Sequence, residues 1–596
     1  MDLPKTDLRL TLLVSFLAAC GGVLGSALWY IQVIRGEDYE RLATGNRIRL
    51  ATIPAPRGTI FDRGGNILAD NRPGFEAAVS LSEVSDKKKL VARLSEVLEI
   101  EPERIQARLN RFRQKPFEPV RLATDIGIAR ATVFEERSPE GEGVEVRVNP
   151  VRNYPYGPAL VHLIGYVGQI DARELKRLGD FGYGSQDDIG KIGVEQSYDL
   201  FLRGVGGGEQ IQVNASGFRD RILSSQDPQP GSNLHLAVDL KAQLILDEIL
   251  EGRKGAAVVL DPRNGDLLAL VSKPSFDPNL LVRPVDEEYL QEIFSHPDSP
   301  ILNRALGGEY PPGSPFKLVV ALAGFRAGKL NPEQTVTCDG LFPLGQTVFK
   351  CWKEGGHGPL AFRDAIKHSC NVYFYRLGLD LGFDRIREAA LLVGFGEKPG
   401  IGLAGEKEGF VPSRQWKKSA LREGWYPGDT ANLCIGQGYI RTTPLQLAGM
   451  GCVIASRGKL FKPRLVLKIT NPKGETIEEF PTVIRREIRL PDRQWDDIWA
   501  GMYGVVNEEG GTGTLAAHPR ITVYGKSGTV QMGAQPDYST RAWFLAFVPT
   551  GERPIVLALI LEEPGSGGEV AAPVAGEFLK KYYELGSQKS EVGSQK

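Results

Sequence analysis

The chain has 596 residues, 42% of them apolar, and a net charge of −1. That length favours several domains over one, with apolar content enough for substantial cores. The balanced charge offers no basic surface for nucleic acid, so no nucleic-acid partner is expected.

Leu10 to Ile34 carries no charged residue, and it is long enough to cross a bilayer as one helix. Trp29 and Tyr30 stand near its outer end, where aromatic rings suit the interface. The stretch is too long for a signal-peptide core; a cleaved signal is the alternative. Lys5 and Arg9 precede it and Arg35, Arg41, Arg47 and Arg49 follow it, so local charge does not set its orientation. Residues 1–9 then form a short tail and 10–34 the span.

Pro56-Arg57-Gly58-Thr59-Ile60-Phe61-Asp62-Arg63-Gly64-Gly65, followed by Ile67-Leu68-Ala69, reads as strand, Gly-rich turn, strand. Taken alone, Arg57 and Asp62 form a surface ion pair beside that hairpin. Further on, Leu90, Val91, Leu94, Val97 and Leu98 share one helical face, as do Ile105, Leu109 and Phe112. These spacings predict a small α/β subdomain of paired amphipathic helices at about 80–150. Gly204-Val205-Gly206-Gly207-Gly208 lacks the Lys-Ser/Thr of a phosphate loop and reads as a plain turn. The segment from 80 to 232 carries no chemical constellation, which fits a scaffold or docking module.

From 233 onward strands bracket a helical middle. A helix is expected from Lys241 to about Leu250. Ala256–Pro262 and Asp266–Val271 read as buried strands joined by an Asn264-Gly265 turn. Ala542–Val548 and Ile555–Ile560 complete the sheet, and Gly568 to Tyr583 reads as a last helix. Within the middle, Tyr310-Pro311-Pro312-Gly313-Ser314-Pro315-Phe316-Lys317 leads into the apolar run Leu318–Ala323. Pro315 suits a first helical position, which puts Ser314 at the helix mouth. Lys317, three residues on, returns its amine to the same face. A serine with an amine in reach is a nucleophile with a candidate base.

Two further clusters lie in the same stretch. Ser369-Cys370-Asn371 falls between the helix-like segments 362–367 and 372–379. Lys526-Ser527-Gly528-Thr529 lies on an extended run that starts at Ile521. Singly, these are a capping pair and a strand end. In the order S-x-x-K, S-x-N, K-[ST]-G they form the set shared by penicillin-binding proteins and class A β-lactamases.

On these motifs the chain resembles class B penicillin-binding proteins over nearly its whole length. Arg57–Arg63, Gly193-Val194-Glu195, Ser275–Asn279, Gly436-Gln437-Gly438 and Thr512-Gly513-Thr514 add to the resemblance. Asn303-Arg304-Ala305 followed by Tyr310–Ser314 is more similar to the elongation type (penicillin-binding protein 2) than to the division type. The resemblance implies an α+β chain. It would comprise the transmembrane helix, an elongated α/β pedestal at 35–232, a β-lactamase-like transpeptidase domain at 233–583 and a flexible tail at 584–596. The transpeptidase domain would be an antiparallel sheet with flanking helices and a helical subdomain. It further implies a single-pass protein of the bacterial inner membrane, with the bulk of the chain on the exterior, periplasmic side. The implied activity is D,D-transpeptidation of peptidoglycan stem peptides ending in D-Ala-D-Ala. β-Lactams are implied as covalent inhibitors, and a SEDS-family membrane glycosyltransferase as a partner.

The family's roles fall on matching positions. Ser314 is the nucleophile, Lys317 its base and Ser369 a proton relay between Lys317 and Lys526. Asn371 holds the substrate backbone. Ser527, Gly528 and Thr529 bind the substrate, the two hydroxyls holding its terminal carboxylate. Backbone N–H groups of Ser314 and Thr529 form the oxyanion hole. The positive charge of Lys526 is expected to depress the pKa of Lys317. The alternatives are a D,D-carboxypeptidase or β-lactamase using the same residues, and a non-catalytic β-lactam sensor or assembly scaffold.

The chemistry needs no cofactor. Of six cysteines, Cys20 belongs to the span, and Cys434 and Cys452 sit in apolar surroundings. Cys338, Cys351, His357 and Cys370 follow the pattern C-x12-C-x5-H-x12-C and could close a tetrahedral structural zinc site. Some elongation-type relatives resemble this, with zinc placed beside the S-x-N motif. A Cys338–Cys351 disulfide in an oxidising exterior, free thiols, or Asp339 in place of Cys338 are the alternatives.

Overall fold

The computed structural model describes residues 8–37, 39, 48–81, 84, 86–112, 119–137, 143–213, 219–282, 287–532 and 539–592. Residues 1–7 of the expected tail lie outside these. The apolar stretch forms a helix, Leu8–Trp29, prolonged by one wider turn, Tyr30–Ile34. Its window Leu10–Ile34 has no share buried by protein. At 1.5 Å per residue it is about 37 Å long, enough for the hydrocarbon core of a bilayer.

The chain packs as two compact units. The first contains the N-terminal residues to 56, 73–150 and 204–230. Its predicted helices are present. Lys87–Leu98 starts at Asp86, whose carboxylate accepts from the N–H groups of Lys88 and Lys89, and buries Leu90, Val91, Leu94 and Leu98. Pro102–Arg111 buries Ile105 and Leu109. Both pack with a third helix, Gly127–Arg137, around Ala77, Val79, Leu122 and Phe134. Strands Ile48–Ile53, Gly207–Val213 and Arg219–Gln226 form a separate antiparallel sheet.

The second unit contains 57–72, 151–203 and 231–596. Two segments of the expected pedestal therefore pack with the C-terminal domain. Strand pairing explains part of this. Ile60–Phe61 lies parallel to Asn233–Leu236, with Leu234 opposite Ile60, and that strand pairs in turn with Val466–Thr470.

The main sheet of this unit has five antiparallel strands: β1 (Gly255–Leu260), β2 (Leu267–Lys273), β3 (Tyr524–Met532), β4 (Ser539–Val548) and β5 (Ile555–Leu561), in the order β2-β1-β5-β4-β3. β1, β2 and β5 are buried along their whole length. They read as continuous apolar runs because helices cover them. Pro444–Ala455 packs on β1, β4 and β5; Leu240–Ile249 packs on β2 and against the C-terminal helix. That last helix, Ala572–Val592, continues past Tyr583, so residues 584–592 are helical rather than a loose tail.

The hairpin near residue 60 departs from its sequence reading. Asp62 caps its own turn, accepting from Gly64 N at 2.8 Å and Asn66 N at 2.7 Å. Arg57 instead bonds Glu195 (2.7 Å) and Asp199 (2.8 Å), while Arg152 bonds the other oxygen of Glu195 at 2.6 Å. Glu195 is fully buried. Burial alone would raise its pKa, but Arg152 and Arg57 outweigh that and hold it below the usual carboxylate range.

Candidate active site

Three segments remote in sequence meet here. Gly313 introduces the first, a single 3₁₀ turn over Ser314–Phe316 with Pro315 at its start. Helix α1 (Lys317–Arg326) follows directly, with every residue from Lys317 to Phe325 buried. The turn rests on β3: a Cβ placed on Gly528 would lie 2.6 Å from Pro315 Cδ. Only glycine at 528 lets the serine turn approach the strand so closely. The indole N–H of Trp543, the β4 residue opposite Gly528, donates to Pro311 O at 2.9 Å and pins the turn from behind.

The second segment joins two helices, α2 (Phe362–Lys367) and α3 (Asn371–Leu381). Ser369 follows the end of α2 with φ +51°. Cys370 caps α3, its sulfur accepting from Tyr373 N. Asn371 opens that helix, so the alternate residues Ser369 and Asn371 face the cleft while Cys370 is wholly buried.

Lys317 Nζ donates to Ser369 O (2.7 Å), Ser369 Oγ (3.1 Å) and Asn371 Oδ1 (2.7 Å). Three acceptors match the three hydrogens of an ammonium. Lys526 Nζ lies 2.9 Å from the same Ser369 Oγ and 2.9 Å from Ser527 O. Both lysines are fully buried. Burial pulls Lys317 down to about 8, against an upward pull that Cys370 and Cys351 exert when ionised. Burial, then the charge of Lys317, pushes Lys526 well below the ordinary lysine range. The repulsion between the two amines is mutual, and it falls on Lys526 because Lys317 keeps its proton to the higher pH.

On β3, Ser527 Oγ donates to Thr512 Oγ1 at 2.8 Å, and Thr529 Oγ1 accepts from Gly567 N at 3.1 Å. Ser527 and Thr529 stand two residues apart and so share a strand face. Gln437 Nε2 reaches Thr529 O at 3.5 Å, and Gly436 O accepts from Gly313 N at 3.0 Å. Neither Thr512 nor Trp543 carries an expected role on the sequence alone. Thr512 stands in the motif Thr512-Gly513-Thr514, but nothing local marks its bond to Ser527 or that of Trp543 to Pro311, since the partners lie 15 and 232 residues away.

Behind Asn371, the ligand atoms of Cys338, Cys351, His357 and Cys370 all lie within 4.8 Å of one another. His357 Nδ1 is 3.6 Å from Cys338 Sγ and 3.5 Å from Cys351 Sγ. The thiols are unbonded, so Cys338 and Cys351 form no disulfide, and Asp339 is not in the cluster. Hydrogen bonding from Cys370 lowers the pKa of Cys351, and that of Cys370 rises in return.

A family model for the penicillin-binding protein transpeptidase domain matches residues 255–580. The chain belongs to the penicillin-binding protein transpeptidase family. A second model, for the penicillin-binding protein dimerisation domain, matches residues 52–236. Among curated relatives, the peptidoglycan D,D-transpeptidase MrdA of Escherichia coli (strain K12) is 34% identical, the match covering 94% of this chain and 91% of that protein. Among solved structures, a complex between PBP2 and MreC from Helicobacter pylori matches with a TM-score of 0.77 at 27% identity, over 91% of this chain and 99% of the other. A peptidoglycan synthase complex that coordinates polymerization and crosslinking contains a chain matching with a TM-score of 0.70 at 30% identity, over 97% of this chain and 99% of the other.

Proposed function

We infer that this penicillin-binding protein is the serine D,D-transpeptidase of cell-wall elongation, cross-linking peptidoglycan stem peptides through an acyl-enzyme. The observation that carries the reading is the single Ser369 hydroxyl bonded to two buried lysine amines, beside the strand on which the Ser314 turn rests.

Ser314 Oγ attacks the carbonyl between the two D-alanines, and its proton passes to Lys317 in the neutral form. With Lys526 neutral, Ser369 accepts from Lys317 and donates to Lys526, so one proton is shared along the row. The tetrahedral oxygen takes the backbone N–H groups of Ser314 and Thr529, each worth roughly 10²–10³ in rate. Asn371 aligns the peptide, and Ser527 and Thr529 hold the terminal carboxylate in the field of Lys526. Terminal D-alanine leaves with a proton delivered through Ser369. An amine of a second stem peptide then attacks the ester and releases Ser314. β-Lactams enter the first half of this sequence and stay.

The four-residue cluster fits structural zinc: three buried sulfurs and one imidazole nitrogen lie within 4.8 Å of one another, the donor set of a Cys₃His site. We assign Cys338, Cys351, His357 and Cys370 as its ligands. Bound zinc would neutralise the thiolates and cross-link the loop that carries Ser369 and Asn371. The N-terminal helix would anchor the chain in the bacterial inner membrane with its bulk outside. There it would dock a SEDS-family glycosyltransferase, a reading supported by the likeness to a chain of the synthase complex.

Intact mass after penicillin treatment, with peptide mapping, tests the central reading. One penicilloyl group on Ser314 is expected; an unmodified Ser314, or adduct elsewhere, overturns it.

A further inference from the structure

Trp352 lies outside every motif, yet it bonds the relay serine's turn. Helix α2 ends in a Schellman motif: Cys370 N donates to Ala365 O at 2.9 Å and Ser369 N to Ile366 O at 3.1 Å. The left-handed position of that motif normally goes to glycine. Here it holds Ser369 at φ +51°. A side chain in that conformation is strained and persists only when its surroundings over-determine it.

Two carbonyls of this turn, those of His368 and Ser369, meet one donor. Trp352 Nε1 lies 3.0 Å from His368 O and 3.1 Å from Ser369 O. Ser369 O is also the 2.7 Å acceptor of Lys317 Nζ. The indole is 58% exposed, so it is not there to fill the core. Its ring meets that of His357 at 5.4 Å, edge to face, and its backbone follows Cys351 directly.

We propose that Trp352 is a positioning residue for the reaction. Its N–H, bridging two carbonyls, holds the left-handed turn that places Ser369 Oγ between the two lysines and Ser369 O against Lys317. Packing of the indole on His357 links that turn to the Cys/His cluster. This inference rests on the reading of Ser369 as relay.

The test uses the full chain in detergent and a fluorescent penicillin. Acylation is followed over a concentration range that separates reversible binding from the limiting acylation rate. Trp352→Phe keeps a ring near His357 but has no N–H. Benzothienylalanine at 352 keeps the bicyclic shape and lacks only the N–H. Both are expected to lose about tenfold in limiting rate, the scale of one hydrogen bond, with reversible binding within twofold of wild type. A benzothienyl variant with the wild-type limiting rate overturns the inference. So does a variant that changes binding alone, which would make Trp352 a substrate contact. Failure of the wild type to acylate overturns the transpeptidase reading as well, so the two failures are distinguishable.

Discussion

Lys317 and Lys526 share one hydrogen-bond partner, Ser369 Oγ, at 3.1 and 2.9 Å from their respective amines. Two buried ammonium groups cannot sit that close without strong repulsion, so the pair carries a single proton near neutrality. With Lys526 pushed far down, that proton resides on Lys317 until about pH 8. If Lys317 must be neutral to take the proton of Ser314, acylation speeds up as pH rises through about 8 and then levels off. At pH 7 the rate is about a tenth of the plateau. Stopped-flow acylation from pH 6 to 10 measures this, and a flat profile refutes Lys317 as the base. Stability follows the same sign. The unfolded chain binds more protons than the folded one between about 8 and the ordinary lysine value of about 10.4, so Lys317 makes stability rise with pH over that window.

Gly436 supports the serine turn by being small. Its φ is +68°, and a Cβ there would lie 2.1 Å from Gly313 O, a backbone atom with no room to yield. Gly436→Ala should therefore displace Gly313 and the adjoining Ser314, on top of about 1 kcal/mol for the left-handed backbone. Acylation is expected to fall by about 10²-fold, because a shift of about 1 Å at the nucleophile costs that much. Circular dichroism should change little. An alanine variant acylated at the wild-type rate contradicts this account.

The sequence carried the local part of this site plainly. Ser314 and Lys317 are neighbours on one turn, Ser369 and Asn371 sit where two helices meet, and Lys526 to Thr529 lies on an extended run. Each of those patterns has a short period that a chain displays to a reader. The same holds for the helices at 87–98 and 102–111, whose apolar residues repeat at helical spacing. What stayed hidden depends on distant convergence. Arg57 found Glu195 rather than Asp62, since the nearer acid is occupied capping its own turn. Trp352 and Trp543 act through single N–H groups on backbone carbonyls, which leave no pattern. The electrostatic order of the two lysines reflects burial and the thiols of Cys351 and Cys370, and none of that follows from spacing.

Glu195 offers a stability test away from the chemistry. It joins the guanidinium groups of Arg57 and Arg152 and is fully buried, as is nearly all of Arg152. Glu195→Gln leaves Arg57 with the Asp199 carboxylate and buried Arg152 with backbone carbonyls of Gly58 and Asp70, so the second cation loses its counter-charge. The expected loss is about 3–5 kcal/mol, seen as a lower urea midpoint for the transition of the unit containing Arg57. In the wild type, the depressed carboxyl contributes stability above its unfolded value of about 4.3. That contribution fades as pH falls through the lower folded value. The variant should lack this acid-dependent component. An unchanged midpoint means that the cluster is solvated in solution.

Removal of metal should act on the catalytic loop rather than on the sheet. Cys370 lies between Ser369 and Asn371, and Cys351 Sγ accepts from Asn371 N at 3.4 Å. The proposed ligands Cys370 and Cys351 are therefore tied to the backbone that carries Ser369 and Asn371. Purified under reductant, the protein should contain one zinc per chain by elemental analysis. Cys351→Ser, or prolonged treatment with a strong chelator, should lower the zinc content and slow acylation by about 10–100-fold, the usual penalty for loosening the support of a site. The bulk melting of the sheet, whose core lies in β1, β4 and β5, should move far less than the acylation rate. Zinc-free protein that acylates as fast as the untreated sample would leave the cluster as buried thiols without a metal. In that case Trp352 and the Schellman turn would hold Ser369 unaided.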